Sequence, residues 1–316
     1  MKKAFEKLNL RDYGVLLGFL ALCIAISVAT PSFLGKQNIL NLLRQSSIIG
    51  IISAGMTFVI ISGNFDISVG AVAALAGAIT MKFATGGTNL FVSMLLGIAI
   101  CAVIGLINGI VVAKINVPSL IATMAMVTIV RGLLLMLTGG YPITENIPIL
   151  DYIGNGYLFN IPIPVVIFFI VVLVAFIVLN KTKFGRYVYS VGGNQEASKL
   201  NGINVDSHKI KVFIINAVLA GIAGIVLTGR LGTATAIAGE GYDMDAIASV
   251  VIGGTSVAGG SGSVLKTVIG VLLMSVINNS FNLLGIDVYF QYIFKGLIIL
   301  AAVGFDSYSK KKLASR

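Results

Sequence analysis

Ser275, Asn278, Asn279 and Asn282 recur at spacings of three and four, which sets them on one side of a helix that is otherwise apolar. Amide side chains are costly in hydrocarbon unless they meet water, a ligand or another helix, so this stripe is expected to face inward. Asn64, Asp66, Asn108 and Gln291 have the same character. Together these residues offer donors and acceptors with few charges, chemistry that suits an uncharged polyol better than an ion. Two plainer roles stand beside that one. The stripe serves equally for hydrogen bonds between helices, and Asp66 for capping at a break between two spans.

Catalytic and nucleotide chemistry find little support. The single histidine, His208, lies beside Lys209 in a basic stretch and reads as solvated, and no cluster has metal-ligand spacing. No metal or cofactor is expected. Residues 260–267 (GSGSVLKT) resemble a phosphate-binding loop, but Leu265 stands where the glycine before the lysine must be, so ATP is not expected to bind here. Cys23 and Cys101 fall in apolar blocks and read as packing residues.

The most informative polar stretch is 180–211 (NKTKFGRYVYSVGGNQEASKLNGINVDSHKIK). After Gly192 and Gly193, Asn194 is a good helix N-cap, and Glu196 falls in the first turn, where the helix dipole favours an anion. Lys199 sits in the last turn and Gly202 offers a left-handed stop. The pattern predicts a helix of about two turns, with Ala197 and Leu200 three apart on one face and Ile203 just beyond. A basic loop on anionic headgroups is one reading; a docking element for a groove on a partner is the other.

The elements that must hold these residues are membrane helices. The chain is 57% hydrophobic and 11% charged, with a mean hydropathy of +1.00. Its apolar sequence comes in long blocks, and a crossing helix needs roughly 20 such residues because only intact helices satisfy their own backbone in lipid. Ten spans are expected, at 13–29, 46–62, 68–83, 90–112, 119–137, 163–179, 212–229, 246–258, 264–284 and 291–304. The fold class is an all-α polytopic membrane protein, one transmembrane domain over 1–316. What remains is too short for a soluble domain, so any energy-converting enzyme belongs on another chain. The net charge of +10 is concentrated in residues 1–12, 180–211 and 305–316. An even number of crossings from a cytoplasmic N-terminus puts all three inside, as the positive-inside rule expects. Topology thus accounts for the basicity, and nucleic-acid binding is not expected. Arg131 and Lys295 fall inside spans; Glu240, Asp243 and Asp245, with Arg44 and Arg230, read as charges at the outer mouth.

A weak internal echo runs through the chain. Gly63-to-Ala71 and Gly241-to-Ala246 each lead an acid into a small-residue span, and each is followed by a span containing asparagine. Arg131-Gly132 and Lys295-Gly296 then open the next apolar runs. The first copy falls on the cytoplasmic side and the second on the outer side, the relation of an inverted repeat. Gly14 with Gly18, and Gly105 with Gly109, have the spacing of close helix approach.

Several blocks in order resemble the membrane permease subunit of bacterial ribose-type ABC importers, over nearly the whole length. They are 66–70 (DISVG), 119–123 (SLIAT), 182–187 (TKFGRY), 192–194 (GGN), 200–205 (LNGINV), 241–248 (GYDMDAIA), 253–256 (GGTS), 258–260 (AGG), 278–279 (NN), 282–285 (NLLG) and 289–291 (YFQ). The lead-in at 62–65 (SGNF) departs from the more glycine-rich, aliphatic one usual there, and 140–162 is locally distinctive. The resemblance implies import of ribose or a related monosaccharide at the inner membrane. Its partners would be a cytoplasmic ABC ATPase, an extracytoplasmic sugar-binding protein and a second permease copy in a homodimer. It makes 180–211 the ATPase-coupling segment, with Phe184, Gly185, Arg186, Gly192, Gly193, Asn194, Glu196, Ala197, Leu200 and Gly202 as its residues. Galactose, xylose or a furanosyl signal molecule are alternative cargoes, and a stand-alone secondary transporter the alternative class.

Overall fold

The computed structural model describes residues 10–314; Lys2, Lys3, Lys7 and Arg316 of the two basic tails lie outside the described residues. The helices, in chain order, are α1 (Leu10–Ala29), α2 (Lys36–Ile61), α3 (Val69–Thr85), α4 (Leu90–Ala113), α5 (Ser119–Thr138), α6 (Pro148–Asn155), α7 (Ile163–Lys181), α8 (Lys183–Gly193), α9 (Gln195–Leu200), α10 (Val205–Leu231), α11 (Tyr242–Ile252), α12 (Val264–Leu283) and α13 (Val288–Ala314). Two minimal sheets accompany them. β1 (Ile143–Thr144) pairs antiparallel with β4 (Thr233–Ala234), and β2 (Tyr157–Leu158) with β3 (Ile161–Pro162).

Among the described residues six helices, α2, α4, α5, α7, α10 and α12, are long and apolar enough to cross a membrane on their own. Shorter apolar stretches lie at Gly14–Ala29, Val69–Thr85 and Val288–Ala301. The ten-span count is therefore not met by ten full helices, and the clearest departure is at 246–258. There α11 stops at Ile252 after 11 residues, about 16 Å of helix, half of a hydrocarbon core. Gly253 and Gly254, the latter at a φ of 89°, turn the chain out of the helix, and 253–263 continues without regular structure. Apolar composition suggested a span; the glycine pair ends it early. The flanks differ too. Helix α1 begins inside the expected 1–12 tail, and α13 runs on through 305–314.

Lipid exposure explains the pattern of α4. Phe91, Val92, Leu95, Leu96, Ile100, Val103 and Ile107 are exposed along one face, while Gly97, Cys101, Gly105, Asn108 and Gly109 are buried on the other. Apolar surface gains nothing by leaving lipid, so the inward face is the small and polar one. Gly105 and Gly109 bring α4 against α10 at Phe213, Ala217 and Ile210, as their spacing suggested. The Gly14/Gly18 pair, in contrast, meets nothing within 4 Å of either position.

Helix α2 is wholly buried from Ser46 to Ile61 and forms the centre of the fold with α3 and α10. Helix α10 packs along α3 and α4, and α2 packs along α11 and α12. Within the halves α3 lies on α4 and α11 on α12, while α5 and α13 close on α3 and α11. The two four-helix units echo each other, and each lends its long first helix to the other.

Their breaks come together. A Cβ on Gly239 would lie 2.7 Å from the Gly70 carbonyl oxygen, so the start of α3 and the lead-in to α11 touch. Each of the two long helices is followed by backbone that turns back into the fold before the next helix starts.

Candidate functional site

The first break, 62–68, starts on backbone bonds, with the N–H groups of Ser62, Gly63 and Asn64 turned back onto the end of α2, and the N–H groups of Phe65, Ile67 and Ser68 then pass to side-chain acceptors. Asp66 is fully buried. Its Oδ1 accepts from the Ser68 backbone N–H at 2.9 Å and from the Ser68 hydroxyl, and its Oδ2 accepts from Asn216 Nδ2 at 2.9 Å. Asn108 Nδ2 donates to Ser68 Oγ at 3.1 Å, tying α4 to the same turn. Backbone N–H groups of Phe65 and Ile67 donate to Ser119 Oγ and Thr123 Oγ1 at the start of α5, and Asn64 Nδ2 folds back onto Ser62. The carboxylate is balanced by hydrogen-bond donors, and the geometry is that of a cap and brace between α3, α4 and α10. Asn216 was not singled out from sequence, although an amide in the middle of an apolar span is the signal for such a partner.

The second break leads to an ion pair. Lys295 Nζ of α13 lies 3.0 Å from both oxygens of Asp245 on α11, and Asn278 of α12 hydrogen-bonds the same carboxylate. Asp245, read from sequence as a charge at the outer mouth, is instead buried on α11, and Lys295 has its partner inside the fold. Arg131 of α5 plays a different part: its Nη1 donates to the carbonyls of Ala236 and Ala238, at 3.1 Å for the latter, clamping the backbone ahead of α11. Arg44 is also spent within the fold, with Nη2 on the Asn155 carbonyl at 3.1 Å and its guanidinium 4.8 Å from the Tyr157 ring centre.

The polar stripe of α12 does not converge on one point. Asn278 turns to Asp245 while its own Oδ1, and the buried Ser275 Oγ, have no hydrogen-bond partner among the described residues. Asn279 exchanges two amide bonds with Asn38 of α2, at 2.8 and 3.0 Å. Asn282 accepts from Gln291 Nε2 at 3.2 Å, across the turn between α12 and α13. Asn64, Asp66 and Asn108 form their own cluster at the first break.

Residues 180–211 are more helical than a loop. Thr182 caps α8 by accepting from the Gly185 N–H, and Asn194 caps α9 by accepting from the Ala197 N–H at 2.9 Å. Gly202 takes its left-handed stop at a φ of 76°. Residues from Val205 onward belong to α10. Ala197 and Glu196 are exposed, and Leu200 is 88% exposed. His208 lies on α10 and is half-buried: its ring stacks on Phe184 at 5.7 Å and meets Tyr187 edge-on at 5.0 Å. Ser190 to Ser198 joins α8 to α9, and Lys209 Nζ to Gln195 Oε1 joins α9 to α10, each at 2.9 Å. Arg186, on the α8 surface, is exposed.

This unit is fused to the core through glycines. A Cβ on Gly192 would overlap the Ile61 carbonyl oxygen at the end of α2 and come within 2.8 Å of Gly260 N. Gly260 N–H in turn donates to that same Ile61 carbonyl at 2.8 Å, and Tyr189 OH donates to the Gly262 carbonyl at 2.9 Å. The end of α8 thus touches the start of the first break and the irregular 253–263 segment together. The 260–267 stretch that resembled a phosphate loop has its backbone engaged in this junction.

A helical membrane fold with two broken units meeting in its interior, and a helical module clamped across both, defines a transport permease. The chain belongs to the family described as the branched-chain amino acid transport system / permease component, which matches residues 38–303. It is 44% identical to the ribose import permease protein RbsC of Haemophilus influenzae, over 93% of this chain and 94% of that one. Identity to the RbsC of Bacillus subtilis is 42%, covering 94% and 93%. The L-arabinose transport system permease protein AraH of Escherichia coli is 35% identical, covering 95% and 92%. No solved structure matches the chain.

Proposed function

We propose that this chain is the membrane-spanning permease subunit of an ABC importer, moving ribose or a related monosaccharide across the cytoplasmic membrane. The observation that carries this reading is likeness at 40–44% identity, nearly end to end, to permeases named for ribose import. Permeases named for xylose and L-arabinose stand further off, at 34–35%. ATP is hydrolysed on a separate cytoplasmic subunit, and a sugar-binding protein delivers cargo from outside. Two permease copies form the transport unit, with both termini and 180–211 on the cytoplasmic side. The polar residues Asn64, Asp66, Asn108, Ser275, Asn278, Asn279, Asn282 and Gln291 border the route, several of them as braces that keep its walls in register.

The test is uptake by the purified assembly of permease, ATPase and binding protein in vesicles. Labelled ribose accumulates only with ATP and all three parts; an excess of unlabelled ribose suppresses it more strongly than xylose, arabinose or galactose. Equal transport by the permease alone would make the chain a secondary transporter. Preference for another sugar would reassign the cargo.

Coupling is proposed to run through α8 and α9, with Glu196, Ala197 and Leu200 presented to the ATPase. An exposed leucine on a short capped helix suits a groove on a partner. Changing Glu196→Ala and Leu200→Ala together removes that ridge without touching a buried group. ATP hydrolysis should continue while sugar uptake falls by about tenfold, the effect of losing roughly 1.4 kcal/mol of docking energy. Normal uptake in the double variant would remove α9 from the coupling path.

A further inference from the structure

A cavity of about 700 Å³ opens where the two breaks meet. It is floored by Ile67 and Gly70 at the start of α3 and by 236–241 ahead of α11, and it is walled by α5 and by Tyr292 of α13. Its size falls within the roughly 300–1,000 Å³ of small-molecule sites. Three charged residues line it: Arg131, Glu240 and Asp243. Among the described residues none of the three forms an ion pair with another, since the one such contact within 4 Å is Lys295 with Asp245. Arg131 uses only Nη1 on the carbonyls of Ala236 and Ala238, which leaves Nη2 and Nε without a protein acceptor among those residues. Tyr292 is 61% exposed, and Met124 at 62% and Leu135 at 49% give the remaining walls an apolar character.

We infer that this cavity is the polyol-binding station of the permease, an assignment that rests on the sugar-import reading above. Glu240 and Asp243 supply carboxylate oxygens that accept from neighbouring sugar hydroxyls, and the free guanidinium N–H groups donate to a hydroxyl or ring oxygen. The Tyr292 ring offers a flat surface for the apolar C–H face of a pyranose or furanose. An occupant touches the lead-ins of α3 and α11 at once, so it interacts with both four-helix units. A binding energy that differs between two arrangements of those units shifts their balance, which is how cargo can influence opening. A zwitterionic amino acid is the competing occupant, with Arg131 on its carboxylate and the acids on its ammonium; two acids against one base, beside an exposed ring, favour the neutral sugar.

The test places a reporter in the wall of the cavity. In the full chain carrying Cys23→Ala and Cys101→Ala, Ile237→Cys is labelled with a maleimide in permeabilised membranes. Ribose at about ten times its dissociation constant should slow labelling about tenfold, as site occupancy dictates. Combining Glu240→Gln with Asp243→Asn should abolish that protection. Tyr292→Ala, at an exposed position outside the core, should weaken it and serves as the second variant should the first misfold. Absence of protection by ribose, equal protection in the charge-neutral variant, or protection by leucine in place of ribose would each overturn the assignment. Uptake measured on the same parent chain separates the two readings. A parent that imports ribose without protection at residue 237 loses the station and keeps the function, whereas a parent that imports none loses both.

Discussion

Replacing Gly192 by alanine should cut coupled transport by roughly five- to 150-fold, while the same change at the adjacent Gly193 should leave it near normal. Both glycines sit in one motif, and neither has a positive φ among the glycines that do, so conformation does not distinguish them. Space does. A Cβ at 193 meets nothing within 4 Å, whereas at 192 it overlaps the Ile61 carbonyl oxygen and crowds Gly260 N. The atoms it meets are backbone, and one of them accepts the Gly260 N–H bond that joins the end of α2 to 253–263. Backbone cannot rotate away as a side chain can, so α8 must separate from the junction. Overpacking of this kind costs about 1–3 kcal/mol, which translates to a loss of roughly five- to 150-fold in the population of the docked arrangement. Uptake by the assembly, with chain abundance followed in the same membranes, reads the effect. Similar uptake by Gly192→Ala and Gly193→Ala would mean that the junction gives way easily and does not transmit.

Much of this unit was legible beforehand, for local reasons. Asn194, Glu196, Lys199 and Gly202 are a complete set of start and stop signals, and α9 lies where they put it. Helix α8 was missed although Thr182 caps it, because its buried positions, Gly185, Val188 and Val191, alternate with a basic, aromatic face that reads as a solvated loop. The ring contact of His208 escapes a local reading for a related reason: its stacking partner, Phe184, is 24 positions away and on another helix.

Non-local pairings carry the rest of the difference. Asn108, Asp66 and Asn278 were recognised as inward-facing, yet spacing alone cannot say that Asn216 completes the first carboxylate's bonds or that Lys295 neutralises Asp245. Composition marked 246–258 as a span because it counts apolar residues and ignores where glycines end a helix. The breaks follow from the same limit. Counting spans assigns each lead-in a side, but it does not foretell that Gly70 and Gly239 touch, a contact between distant segments that no local pattern records.

The Asp245–Lys295 pair gives the second large effect, and its asymmetry sets the order of the outcomes. The Asp245 side chain is 5% exposed, against 23% for Lys295. A lysine left alone extends its flexible stem and carries its ammonium toward water or headgroups. A carboxylate left alone keeps only Asn278, a single neutral donor, in the interior of the fold. Breaking a buried pair from one side costs about 3–5 kcal/mol, so Lys295→Met should lower thermal stability by close to that range and Asp245→Asn by clearly less. Asp245→Asn combined with Lys295→Met removes both charges and should recover most of the loss, because no unpaired charge then remains. The midpoint of thermal unfolding, followed by retention of the folded peak on size exclusion, measures all three. Additive losses in the double variant would show that the groups act separately and that the 3.0 Å contact does not hold α13 to α11. Recovery would place α13, and with it Tyr292 one turn earlier on the same helix, under the control of a charge pair buried beside the cavity. Transport in the double variant then separates support from chemistry: a chain that folds but imports slowly needs the charges themselves, and one that imports normally needs only the packing.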